Sequence, residues 1–172
     1  WKMMNDKIAG GSYHRLFLRQ RLMNIAEAIE ELRGSVPKLN EYVVGIDAAS
    51  NENAMEPWML SAVYNRMRSR RTTKPILLEE PDEWNAFGNG KKRYSEIQNI
   101  GFTYHVGEDF RHVLSGLRHI DEVIEEFHYK PGDRLGHAIA LGFHVRKWVL
   151  DNEMVPLPVM EYMENLLWLW GK

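Results

Sequence analysis

The sequence predicts an α/β fold in which parallel strands are joined by helical crossovers. Two observations predict it. Segments with helical apolar period alternate with short apolar runs, in the order helix, strand, helix, strand, helix, strand, helix. Each short run also ends in a titratable residue: Val43-Val44-Gly45-Ile46-Asp47, Ile100-Gly101-Phe102-Thr103-Tyr104 before His105, and Arg134-Leu135-Gly136-His137. In α/β barrels the edge where strands end is where chemistry is done.

The elements follow in order. Tyr13 to Arg33 reads as a helix, with Leu16, Leu22, Ile25, Ile29 and Leu32 as its apolar positions and Gly34 as its stop. Lys38 to Asn40 lead into a strand over Tyr42 to Asp47, followed by the polar loop Ser50-Asn51-Glu52-Asn53. Pro57 opens a helix that runs through Arg68. Residues 70 to 93 hold two prolines, Gly88 and Gly90, and read as an irregular insertion. The central strand precedes an amphipathic helix over Phe110 to Phe127, in which Val113, Leu117, Ile120, Val123, Ile124 and Phe127 share a face. Arg134 to Leu141 reads as the third strand, Phe143 to Leu150 as a helix, and Val159 to Trp170 as a last helix rich in Met, Leu and Trp. Three strands cannot close a barrel, and alone they would expose two sheet edges. The alternatives are a small layered domain or the middle of an eight-stranded barrel.

Composition narrows the function classes. A formal net charge of −2 gives no global attraction to nucleic acid or to acidic membranes. No apolar run approaches the roughly 20 residues of a membrane span, and Trp1-Lys2-Met3-Met4, with no long apolar core after it, does not read as a signal peptide. The absence of cysteine fits a reducing compartment such as the cytoplasm, and it removes thiolates as metal ligands. A zinc site here would have to be built from histidine and carboxylates. The chain opens on Trp1 and closes on Trp168-Leu169-Trp170-Gly171-Lys172, which leads us to expect a piece of a larger protein with a surface for a homo-oligomer or larger assembly.

The strand ends supply the chemistry. A histidine there can offer a ring nitrogen to zinc, and zinc lowers the pKa of a bound water from near 16 to about 7. A neighbouring carboxylate can then move protons. His105 as ligand and Glu108 as proton carrier fit that division, with Gly107 letting the backbone turn and approach a ligand. His137 is a second ligand or an orienting group. Asp47 reads as a structural residue that caps the loop after its strand.

The words around these residues are more specific. Val44-Gly45-Ile46-Asp47-Ala48-Ala49-Ser50-Asn51-Glu52, then Thr103-Tyr104-His105-Val106-Gly107-Glu108, then Asp133-Arg134-Leu135-Gly136-His137-Ala138 resemble the adenosine deaminase family of metal-dependent hydrolases. Its members carry words like GIDLAGDE, HAGE and RLGHG in this order. The resemblance implies a (β/α)8 TIM-type barrel, of which residues 1–172 would be a central piece with about the fourth to sixth strands. It implies zinc-dependent conversion of adenosine, or a related adenine nucleoside or nucleotide, to the inosine form and ammonia. His105 would be the zinc ligand, Glu108 the proton donor to the purine ring, and His137 the group beside the attacking hydroxide. Ser50 and Gly107 would lie near the purine.

This chain also departs from the family pattern. Ser50 stands where the family has glycine, Asn51 where it has aspartate, Val106 where it has alanine, and Ala138 where it has glycine. The family's first-strand His-x-His is absent, so the remaining zinc ligands are expected outside the chain, which alone would be inert. Enlarged bacterial relatives, among them deaminase-like proteins of phage defence systems, carry insertions like the one at about 70–93. The alternative is a non-catalytic scaffold or a nucleotide-sensing assembly subunit. The arginines at 66, 68, 70 and 71 read as a solvated face or an assembly contact rather than a nucleic-acid site. Gly88-Asn89-Gly90-Lys91-Lys92 lacks the spacing of a phosphate loop and reads as a turn. His112 and His119 read as surface residues of their helix.

Overall fold

The computed structural model describes residues 12–36, 38–49, 52–69, 76–79, 92–95 and 99–172. Their elements are α1 (Ser12–Ser35), α2 (Leu39–Tyr42), β1 (Gly45–Ala48), α3 (Trp58–Ser69), β2 (Ile76–Glu79), β3 (Lys92–Ser95), β4 (Gly101–Val106), α4 (Val113–Glu126), β5 (Arg134–His137), α5 (Val145–Asp151) and α6 (Val159–Gly171). Short 3₁₀ turns lie at Glu52–Ala54 and Ile139–Gly142. The described residues form two compact units: those up to Gly45 with those of Arg66–Ile100, and Ile46–Asn65 with Gly101–Lys172.

In the first unit, α1 does not bury the stripe its apolar spacing predicts. Ala26, Glu30 and Arg33 are buried, while Ile25 and Leu32 are exposed. The buried charges neutralise each other, with Arg33 Nη1 2.9 Å from Glu30 Oε1. The region read as irregular contains an antiparallel pair, β2 with β3, in which Ile76 faces Ser95 and Glu79 faces Lys92. The glycine-rich stretch between them lies outside the described residues.

The second unit holds a small parallel sheet of order β1-β4-β5. The mixed α/β class expected from the sequence is present in this coarse form. β1 starts at Gly45, later than the sequence suggests, because residues 38–43 turn back on themselves: Val43 N–H donates to Leu39 O at 2.8 Å. β5 stops at His137, short of the expected Leu141. His137 and Ala138 take φ of 62° and 51°, and no strand continues through a left-handed backbone.

Alternation along β4 buries Phe102, Tyr104 and Val106 on one face. Phe102 and Tyr104 meet Tyr64 of α3, and Tyr104 meets Phe127 at the end of α4. Tyr64 lies edge-on to Phe102 at 4.8 Å and stacks on Phe127 at 4.4 Å, and Tyr104 meets Phe127 edge-on at 5.2 Å. Burial pushes the Tyr64 and Tyr104 phenols well above their ordinary range. Asp133 ties the start of β5 to β4 by accepting from Phe102 N–H at 2.9 Å.

The contact of α4 with α6 is polar, contrary to the surface reading of its histidines. Arg118 is fully buried; it reaches Glu122 at 2.7 Å, Glu56 at 2.9 Å and Asn165 at 2.8 Å. His119 is 3% exposed and lies 2.8 Å from Glu56. Burial alone would raise the Glu56 carboxyl, but the hydrogen bond and charge of His119 and the Arg118 guanidinium hold it below the usual range. Glu122 is raised, because burial outweighs Arg118 there. His112 is not a free surface residue either: it caps α4, its Nδ1 accepting from Leu114 N–H at 3.0 Å. α6 buries Glu161 and Asn165 while Met160, Met163, Leu167 and Trp170 face outward. No helix among the described residues is long and apolar enough to cross a membrane.

Candidate active site at the edge of the parallel sheet

The face of β4 opposite its core carries His105, because successive side chains alternate. Gly136 is its register partner on β5. A Cβ at Gly136 would fall 2.8 Å from His105 Cδ2 and 3.1 Å from its Cα, so a side chain there would press on both the imidazole and the backbone of His105. His137 follows Gly136 with a left-handed backbone, φ 62°, and its imidazole lies beside the first, with ring centroids 5.1 Å apart.

Each imidazole meets a carboxylate. His105 Nδ1 lies 3.1 Å from Asp47 Oδ1, and His137 Nε2 lies 3.1 Å from Glu108 Oε2. An ionised Asp47 requires Nδ1 to be the donor, and this tautomer leaves Nε2 of His105 with its lone pair. Asp47, read from the sequence as a structural residue at its strand end, therefore holds His105 in orientation. The four side chains are between 28% and 46% exposed, so each pair contributes only about 0–1 kcal/mol to stability. Their significance is geometric: two imidazole–carboxylate pairs converge at one end of the sheet.

Glu52 joins them, and sequence reasoning assigned it no role. Its carboxylate accepts from the backbone N–H of Gly107 at 2.7 Å, Glu108 at 2.9 Å and Asp109 at 3.3 Å. The available signal was its place as the last residue of the first word. Gly107 is buried, at φ 74°, and its amide is taken by Glu52. A Cβ there would sit 2.6 Å from Ile120 Cδ1 and would push that side chain aside, while the left-handed φ itself favours glycine. The loops after β4 and β5 lock together: Ala138 N–H donates to Val106 O at 2.9 Å and Ala140 N–H to Gly107 O at 2.9 Å. Ser50 lies outside the described residues.

The donor chemistry suits zinc, since a histidine whose second nitrogen is held by a carboxylate is a common metal ligand. The number of donors does not complete a site: no group of three or more His, Asp or Glu side chains among the described residues could hold a metal ion. No protein-family model and no curated protein matches this chain.

Proposed function

We propose that this chain carries part of a zinc-dependent hydrolytic site that converts an adenine nucleoside or nucleotide to its inosine form and ammonia. The observation that supports this reading is convergence. Three words far apart in sequence meet at one sheet edge, with Asp47 and His105, 58 positions apart, in hydrogen-bond contact and Glu108 beside His137. In the reaction, water oxygen bonds to purine C6, the bond from C6 to its amino nitrogen breaks, and ammonia leaves. Zinc, when bound, makes water a nucleophile at neutral pH. His105 would hold it through Nε2, with further ligands from beyond the described residues. Glu108 in its acid form protonates the purine ring nitrogen, and His137 holds the adjacent proton and orients the water. The barrel expected from the resemblance belongs to this proposal too, with the His105 face of β4 as its interior.

The test uses the full-length protein. Bound zinc is measured, and adenosine, deoxyadenosine and adenine nucleotides are assayed for conversion to their inosine forms. Glu108→Gln is expected to keep zinc and lose about 100-fold or more in turnover. His105→Ala is expected to lose both. Absence of metal together with absence of turnover on every purine would sink the reading. A second reading, a non-catalytic scaffold, is favoured by one observation: α6 turns Met160, Met163, Leu167 and Trp170 outward while burying Glu161 and Asn165. It predicts self-association or assembly without zinc or turnover.

A further inference from the structure

We infer that Glu52 is a positioning residue: its buried carboxylate fixes the loop after β4 in the one form that sets Glu108 against His137. This rests on the deaminase reading only for the chemical use made of Glu108. The geometry is specific. Three successive amides, of Gly107, Glu108 and Asp109, point at the two oxygens of one carboxylate. Such a run of N–H groups forms a concave anion site, which here is filled by the protein's own side chain. The left-handed Gly107 is what turns these amides toward a common point. Glu52 is 9% exposed, and among the described residues its hydrogen-bond partners are these three amides. Its hydrogen bond to Glu108 goes to the backbone amide, so this influence on Glu108 passes through the backbone. Asp47 orients His105 from nearby in the chain, so Asp47 and Glu52 support both imidazole–carboxylate pairs from outside the reacting groups.

The experiment uses the isotope-labelled chain and its Glu52→Ala and Glu52→Gln variants. Two quantities are read: amide hydrogen exchange residue by residue, and the nuclear Overhauser contact between the Glu108 and His137 side chains. In Glu52→Ala, exchange at residues 107–109 is expected to rise about 10- to 100-fold with the Val123 amide unchanged, and the Glu108–His137 contact is lost. In Glu52→Gln the amide oxygen still accepts from Glu108 and Asp109, so protection there and the side-chain contact return while Gly107 stays fast. A folded Glu52→Ala variant that keeps the contact overturns the inference. If the alanine variant unfolds, the glutamine variant decides: faster exchange confined to Gly107 supports the role, and acceleration spread equally through β4 and α4 overturns it. None of these readouts involves turnover. Absence of zinc and of turnover on every purine would therefore defeat the deaminase reading and leave the role of Glu52 standing.

Discussion

Arg118→Met should be among the most destabilising single changes in the second unit. Methionine preserves much of the length and volume of the side chain, so little cavity is created. What is lost is the guanidinium that reaches Glu122 at 2.7 Å, Glu56 at 2.9 Å and Glu164 at 3.6 Å and donates to Asn165 at 2.8 Å. Arg118 is fully buried, and these carboxylates are only 17%, 16% and 21% exposed. Removing one partner of a buried ion pair leaves the other charge desolvated, at a cost of about 3–5 kcal/mol. At about 2–4 °C per kcal/mol for a chain of this size, the midpoint of thermal unfolding should fall by about 6–20 °C. The cost should also depend on pH. Burial already raises Glu122 with Arg118 present. Without the arginine its folded-state pKa rises further above the unfolded value, so the penalty is full at pH 7 and shrinks as falling pH neutralises the carboxyl. Urea unfolding of both proteins at pH 7 and pH 5 measures this, and adding Glu122→Gln to Arg118→Met should recover part of the loss. A cost below about 1 kcal/mol at pH 7, or one unchanged at pH 5, would refute the view that the arginine neutralises a buried acidic cluster.

Two further predictions concern the backbone and a cap. Ala138→Gly should stabilise the chain by about 0.5–1 kcal/mol, because Ala138 holds a φ of 51° that costs an L-residue about 1–2 kcal/mol and glycine little, less the entropy glycine loses on folding. Equal or lower urea stability would show that the turn is not strained. Burial holds His112 below the ordinary imidazole value, partly opposed by Glu161, and its neutral Nδ1 caps α4. The unfolded chain therefore binds the proton more readily, and stability from this residue is lost as pH falls through the ordinary imidazole value toward the folded one. His112→Asn keeps a capping oxygen and does not titrate, so the variant should lose up to about 1 kcal/mol less between pH 7 and pH 5. Parallel stability curves for the two proteins would reject the cap.

The sequence by itself determined the order of the three parallel strands and of the longer helices around them. Long apolar periods and short apolar runs report local geometry, and α4, α5 and α6 fall within three residues of their expected starts and ends. It also placed His105, Glu108 and His137 at strand ends, since a strand's exit is marked by where its apolar run stops. The limits of β1 and β5 were less legible, because a backward turn at residues 38–43 and a left-handed backbone at His137 and Ala138 are not carried by hydrophobic pattern. Only the tertiary structure decided which carboxylate meets which imidazole. Asp47 and His105 are brought together by strand pairing, and Glu52 meets the 107–109 amides from more than 50 positions away in sequence. The same holds for His119 and Arg118. As helix positions they look solvated, and they become interior only because Glu56, Glu122 and Asn165 supply charges and hydrogen bonds that compensate their desolvation. Periodicity records where apolar side chains recur, but a buried polar network depends on partners that only folding brings within reach.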